Sequence, residues 1–341
     1  LTNPAARWNR GVIRLVAATN VVILGERGSV IDGNNSFDPQ GEEGFRGAHG
    51  INAFGSTNVL VRGIELRRTG NWANHFNTCA DLCFENLTIR GGHDGVHMRG
   101  CDRVTVRNCD IRCGDDCIAG YDNTDVLVED CRLNTACSAF RFGGTHVRVR
   151  RVKVWGPGEW PIRNTLPRAD QIAGNDCQGI GRHNLLSFWT YFADFLQPIR
   201  NPPGDIVVED CEIDGADRFL HYNFSGNEIW QKGAPLADIA FCRVKARNIG
   251  QPLNVWADAR VPLVLRLNAC EMAFRDPVRE FMRGAYVRLL DLRDVRAEGV
   301  DGPVLRLWKA EELHPELRLK DVQGFKLEAR PTTEKWDVTA I

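Results

Sequence analysis

Asp102-Arg-Val-Thr-Val-Arg-Asn-Cys-Asp-Ile111 and Thr124-Asp-Val-Leu-Val-Glu-Asp-Cys-Arg-Leu133 are two copies of one pattern, and their reading decides the fold. The same pattern begins at Thr57 and Asp81 before them, and at Thr145 after them, so it recurs every 21 to 24 residues. It returns at Gly204-Asp-Ile-Val-Val-Glu-Asp-Cys-Glu-Ile213, with weaker copies near Ala237, Val261, Ala285 and Pro315. Each copy alternates apolar and polar residues, as a strand does, and ends in Gly, Asn or Asp turn chemistry. A period in the low twenties denotes a solenoid, either leucine-rich repeats or a parallel β-helix. The apolar positions hold Val, Ile, Cys and Phe instead of a fixed Leu, and no helix follows. A right-handed parallel β-helix, all-β, is therefore expected, formed as a single domain over residues 1–341. Coils stacked at about 4.8 Å place equivalent residues in ladders. Cys109, Cys131 and Cys211 share one position and should form an inward ladder.

Composition supports one long core, with 341 residues of which 43% are hydrophobic. Lys plus Arg (43) nearly equal Asp plus Glu (44), which argues against a general nucleic-acid-binding surface. The most apolar stretch, Leu185 to Leu196, is too short and too interrupted to span a membrane. Twelve cysteines include no pair at zinc-like Cys-x-x-Cys spacing, so neither a metal nor another cofactor is expected. Disulfides and oligomeric state are left open by the sequence. No signal peptide is visible, and Leu1 enters almost directly into repeat material, so the natural start, with its polar cap, is expected to lie upstream.

Two excursions leave the repeat, at about 156–203 and 217–235. Long aromatic-rich insertions of this kind usually carry function. Within the first, Phe188, Tyr191, Phe192 and Phe195 fall near i, i+3, i+4, i+7 spacing, which predicts an amphipathic helix over Leu185 to Leu196. Trp160 and Trp189 are candidates for stacking on sugar rings. The second excursion carries His221, Tyr222, Phe224 and Trp230.

The chemistry-bearing elements lie one repeat apart. Asp94 sits in Gly-Gly-His-Asp-Gly-Val-His, and Asp115-Asp116 in Cys-Gly-Asp-Asp-Cys-Ile-Ala, 21 and 22 residues later. Stacked coils bring these carboxylates onto one surface, where they cannot all ionise freely, so at least one should hold a proton near neutral pH. An acid/base hydrolase of sugars needs that property. Asp115 and Asp116 are neighbours, so both reach one surface only if the chain bends at Gly114. His93 and His97 flank Asp94 as candidate substrate ligands or tuners of its carboxylate. Asp32, in Ile-Asp-Gly, reads as a turn residue.

From Asn20 to Asn164 the chain resembles the polygalacturonase-type glycoside hydrolases (glycoside hydrolase family 28). The resemblance rests on the early strand ending Ile31-Asp-Gly33, on Gly92-His-Asp-Gly95 where the family has Asn-Thr-Asp-Gly, and on an unchanged Gly114-Asp-Asp-Cys-Ile-Ala119. It implies Asp115 as general acid, and Asp94 and Asp116 as the carboxylates that activate water, with inversion at the anomeric carbon. It also implies a polysaccharide or oligosaccharide substrate, pectin-like or another acidic glycan, and a secreted or periplasmic location. Two family elements depart. Cys137 or Ser138 stands where the family has the histidine of Gly-His-Gly, and Pro161-Ile-Arg163 replaces Arg-Ile-Lys. Arg141 and Arg163 are the candidate replacements as anion or hydroxyl ligands, since arginine suits bidentate carboxylate binding. Two other functions compete on the same fold: a polysaccharide lyase or uronate epimerase using His93, His97 and Arg141, and a non-catalytic carbohydrate-binding β-helix.

Overall fold

The computed structural model describes residues 9–172, 177–179, 183–196, 198–307, 313 and 315–324; the reading of the chain start at Leu1 lies outside them. The strands pair in parallel throughout, coil upon coil, in a right-handed parallel β-helix. Each coil contributes to three faces. One face runs through His49–Phe54, Asn74–Asn77, Val96–Arg99 and the start of Ile118–Glu129. The second runs through Thr57–Arg62, Ala80–Glu85, Asp102–Arg107 and the end of Ile118–Glu129. The third, shorter-stranded, includes Thr88–Gly91, Asp110–Cys113 and Arg132–Thr135. All the predicted copies of the repeat are strands of the second face, out to Glu316–Lys320.

The corner between the second and third faces explains the Asn/Asp endings of the repeat. Asn86, Asn108, Asp130 and Asp210 all adopt left-handed backbone, with φ between 53 and 55°. That conformation is costly for most L-residues and best tolerated by Asn and Asp after Gly. The residue that follows turns inward. Leu87, Cys109, Cys131, Val152 and Cys211 stack there, all at 2% exposure or less, so the cysteine ladder is present, with Val152 as one of its rungs. Each thiol donates to a backbone carbonyl, for example Cys131 Sγ to Glu129 O at 3.2 Å. The twelve cysteines are free. One apolar core runs continuously from Ile51 to Val304.

The helix expected over Leu185 to Leu196 does not form. Leu185–Tyr191 is a strand of the first face, with Trp189 beside Phe140 on one side and Leu220 on the other. The aromatic spacing mimicked a helix period, but neighbouring rungs on both sides satisfy the backbone, and aromatic residues suit strands. The coil therefore resumes at Leu185, earlier than Gly204. The second excursion is likewise shorter than expected, because Ala216–Asn223 is a strand that carries His221 and Tyr222. Among the described residues, no helix is long and apolar enough to cross a membrane.

Trp189 is fully buried and stacks on Phe140, with ring centroids 5.0 Å apart. It is a core residue and has no surface to offer a sugar. Trp189→Ala should lower stability by about 3–5 kcal/mol, read from urea unfolding, through the cavity it leaves. Loss of ligand affinity at unchanged stability would contradict this placement.

Candidate functional site

The corner between the third and first faces holds all three aspartates. Asp94 lies between Thr88–Gly91 and Val96–Arg99, and Asp115 and Asp116 lie between Asp110–Cys113 and Ile118–Glu129. The two segments are locked rung to rung, with Gly114 N donating to Gly91 O at 2.8 Å and Gly95 N to Asp116 O at 2.9 Å. The bend expected at Gly114 is present. A Cβ there would sit 1.8 Å from Pro161 O, so glycine is what lets the first excursion close over the corner. Asp115 and Asp116 consequently share one surface, and their carboxylate oxygens and Cys137 Sγ lie within 4.8 Å of one another. This is the one such ligand-type group among the described residues. Burial and the neighbouring aspartates push the Cys137 thiol well up, which keeps it protonated and opposes metal ligation.

Asp94 and Asp116 are equivalent residues of successive coils and are held the same way. Asp94 Oδ1 accepts from Asp116 N at 3.3 Å, and Asp116 Oδ1 accepts from Ser138 N at 3.1 Å. Each carboxylate thus caps the next coil with one oxygen and turns the other to the site. Asp94 Oδ2 lies 2.7 Å from His97 Nδ1, and Asp116 Oδ2 lies 3.7 Å from Arg141 Nη1. Asp115 takes the rung position that His93 holds in the preceding coil. Its side chain is 16% exposed, the most accessible of the three, and it pairs with Arg46 Nη2 at 3.2 Å. Arg46 also reaches Glu43 and Asn71.

Burial, then the charges of Asp115 and Asp116, push Asp94 well above the usual carboxylate range. Burial and then Asp115 lift Asp116 to about 6, against the opposing pull of Arg141. Stacking the carboxylates does therefore keep protons in the site into the weakly acidic range. His97 is neutral. Burial, then Arg99, depresses it well below its ordinary value. Arg99 Nε donates to His97 Nε2 at 3.1 Å, which leaves the ring proton on Nδ1 and aims it at Asp94. The ring is fixed by Trp72, stacked at 3.8 Å and 11°. His97 is thus a tuner of Asp94.

The other expected ligands divide. Arg141 is at the site, its guanidinium 4.3 Å from the Phe192 ring and 5.5 Å from that of Trp230. Arg163 is only 3% exposed; its guanidinium donates to the Gln171 carbonyl and its stem packs against Gly92, behind the Asp94 loop. His93 is buried against Phe45, with ring centroids 6.0 Å apart and Nε2 without a partner. Trp160 is 3% exposed and, like Trp189, has no open ring face. Asp32 binds the backbone N of Asn34 and the side chains of Arg67 and Arg68, as a turn residue does.

Sequence reasoning missed three residues here. Arg46 meets Asp115 from 69 residues away, with no local signal to announce it. Trp72 is aromatic but isolated in sequence. Arg99 could have been found, because it alternates with His97 on the outward side of a strand whose Val96 and Met98 are fully buried. That outward position continues through the register as His75, His97, Ala119, Arg141, Thr190, His221 and Asn254. A polar row therefore runs along the coil axis, and its smallest member, Ala119, falls on the coil of the aspartate pair.

Comparisons with known proteins bear on the fold and the family. The model of Glycosyl hydrolases family 28 matches residues 3–138, the part of the chain that carries all three aspartates. Over 183 residues the chain is 26% identical to a polygalacturonase of Cochliobolus carbonum, covering 49% of this chain and 46% of that protein. Among solved structures, a hyperthermoactive exopolygalacturonase from Thermotoga maritima shares the fold, with a TM-score of 0.51 and 11% identity over 74% of this chain and 55% of the other. A family 28 exopolygalacturonase of Yersinia enterocolitica aligns with a TM-score of 0.47 and 13% identity, over 84% of this chain and 48% of the other. The family model places the resemblance to family 28 glycoside hydrolases in the N-terminal part of the chain. The chain spans about half the length of the relatives it matches.

Two measurements follow from the site. His97→Phe keeps a ring on Trp72 but removes the donor to Asp94, and should cost about 1–3 kcal/mol in urea unfolding. Asp116 binds its proton more tightly folded than unfolded, so its contribution is full below about pH 4 and is lost as pH rises through about 6. Asp116→Asn should flatten the fall in melting temperature across that window, and an unchanged slope would assign the fall elsewhere.

Proposed function

We propose that this site is that of a glycoside hydrolase of polygalacturonase type acting on an acidic glycan. The observation that carries the reading is the stack of Asp94, Asp115 and Asp116 on one corner, with protons retained by burial. Asp115 is the donor to the glycosidic oxygen, because it alone of the three reaches the surface far enough to meet a leaving group. Asp94 and Asp116 hold the water, each with one oxygen fixed to the next coil and the other turned to the site, where Asp94 Oδ2 also accepts from His97. The attacking water gives its proton to Asp94 or Asp116 as its oxygen bonds the anomeric carbon, which balances the proton that Asp115 gives to the leaving oxygen.

Inversion is part of the proposal and rests on the family resemblance. The spacing of Asp115 and Asp116, under 4.8 Å, is shorter than the roughly 6.5–9.5 Å usual for inverting pairs, so the water must lie toward Asp94. A lyase or epimerase is the less favoured reading. His97 is engaged at both nitrogens and His93 is buried, so neither histidine expected for that chemistry is open to act as its base.

Purified protein should release new reducing ends from polygalacturonate without the ultraviolet absorbance of unsaturated uronides. Asp115→Asn should lower kcat by about 10²–10⁴, the range general acid catalysis supplies. Nuclear magnetic resonance of the first product should show the inverted anomer. Absorbance gain that persists in Asp115→Asn would overturn the hydrolase assignment.

A further inference from the structure

Among the described residues, Arg99 is the one cation beside the aspartates whose terminal nitrogens no protein group takes up. Its Nε is spent on His97 Nε2, and its guanidinium lies between two aromatic rings, 5.3 Å from the Trp72 centroid and 5.7 Å from that of Tyr121. No hydrogen bond or ion pair engages Nη1 or Nη2 among the described residues. The acid that follows Tyr121 does not compensate it, since Arg200 occupies both carboxylate oxygens of Asp122, at 2.8 and 2.9 Å. Asp94 is separated from Arg99 by the whole His97 ring. A half-buried guanidinium, held by rings on its flanks and tethered at Nε, has paid its ordering cost before any ligand arrives. What remains free is the end-on pair of Nη donors, the edge that matches the two oxygens of a planar carboxylate.

Its place in the register fixes its relation to the reaction. Arg99 pairs with Tyr121, and His97 with Ala119 on the coil of Asp115 and Asp116. It therefore sits one coil, about 4.8 Å, to the N-terminal side of the aspartate pair. Arg141 sits one coil to the other side. Arg141 is already turned toward Asp116, whereas Arg99 faces no protein anion.

We propose that Arg99 is a specificity-determining residue, an end-on fork that binds a uronate carboxylate of the substrate on the N-terminal side of the aspartate coil. The assignment rests on the glycan-binding reading of this site, but not on which aspartate is the acid. The fork also joins substrate to chemistry, through the relay of Arg99, His97 and Asp94. A carboxylate on Nη holds the guanidinium, which holds the His97 tautomer that donates to Asp94.

The test is a binding contrast in the Asp115→Asn background, using trigalacturonate and its fully methyl-esterified form as ligands in titration calorimetry. The free acid should bind about tenfold or more tightly than the ester, the order of one good charge-assisted contact. Adding Arg99→Gln should cut that preference about tenfold while the ester's Kd stays within about twofold, and Arg99→Lys should fall between, keeping the charge but losing the fork. A purely structural role would weaken both ligands together, and that result would overturn the proposal. So would a preference that survives Arg99→Gln, or no measurable binding of either ligand. Failure of the wild-type protein to release reducing ends is a separate outcome, which sinks the hydrolase reading and leaves the binding contrast to decide Arg99.

Discussion

The rung-to-rung backbone hydrogen bond is the constraint on which the rest of this molecule depends. Parallel pairing in strict register turns residues 21 to 24 apart in sequence into neighbours. At the site the same bonds run through the corner itself, from Gly114 to Gly91 and from Gly95 to Asp116. The aspartates take part in that bonding, because Asp94 and Asp116 each accept from the backbone of the following coil. The catalytic candidates are thus also corner braces. Replacing either removes a carboxylate and loosens the rung below it, which is why binding contrasts and pH slopes inform more than loss of activity.

Burial gives these carboxylates their chemistry. Close approach of like charges in a corner sealed by Pro161 and floored by the core favours the protonated forms, and the cations Arg46 and Arg141 oppose it. His97 contributes as a neutral donor, its tautomer set by Arg99 and its ring plane by Trp72. A charged imidazolium could not survive at that depth beside two arginines.

The outward row from His75 to Asn254 gives a second view of the same geometry. Each coil places one residue at the same height, and a sugar residue is close in length to one coil. The coil bearing Asp115 and Asp116 presents Ala119, while its neighbours present His97 and Arg141. The smallest side chain of the row lies where bond cleavage is proposed, and polar side chains lie to either side. Trp230, 40% exposed and in contact with Arg141, continues this surface where the expected Trp160 and Trp189 do not.

The sequence by itself determined the period, the strand positions of the second face, the cysteine ladder, the bend at Gly114 and the grouping of Asp94, Asp115 and Asp116. All of these follow from local rules repeated at a fixed interval, and a repeated rule is legible because each copy corroborates the last. Only the tertiary structure decided that Leu185–Tyr191 is a strand, since an aromatic run satisfies helix and strand periods alike until its neighbouring rungs are known. Only the tertiary structure buried Trp160, Trp189, His93 and Arg163, and brought Arg46 to Asp115 across 69 residues. Exposure and long-range pairing are properties of how the excursions fold back on the coils. No periodicity governs that packing, so nothing in the order of the residues encodes it locally.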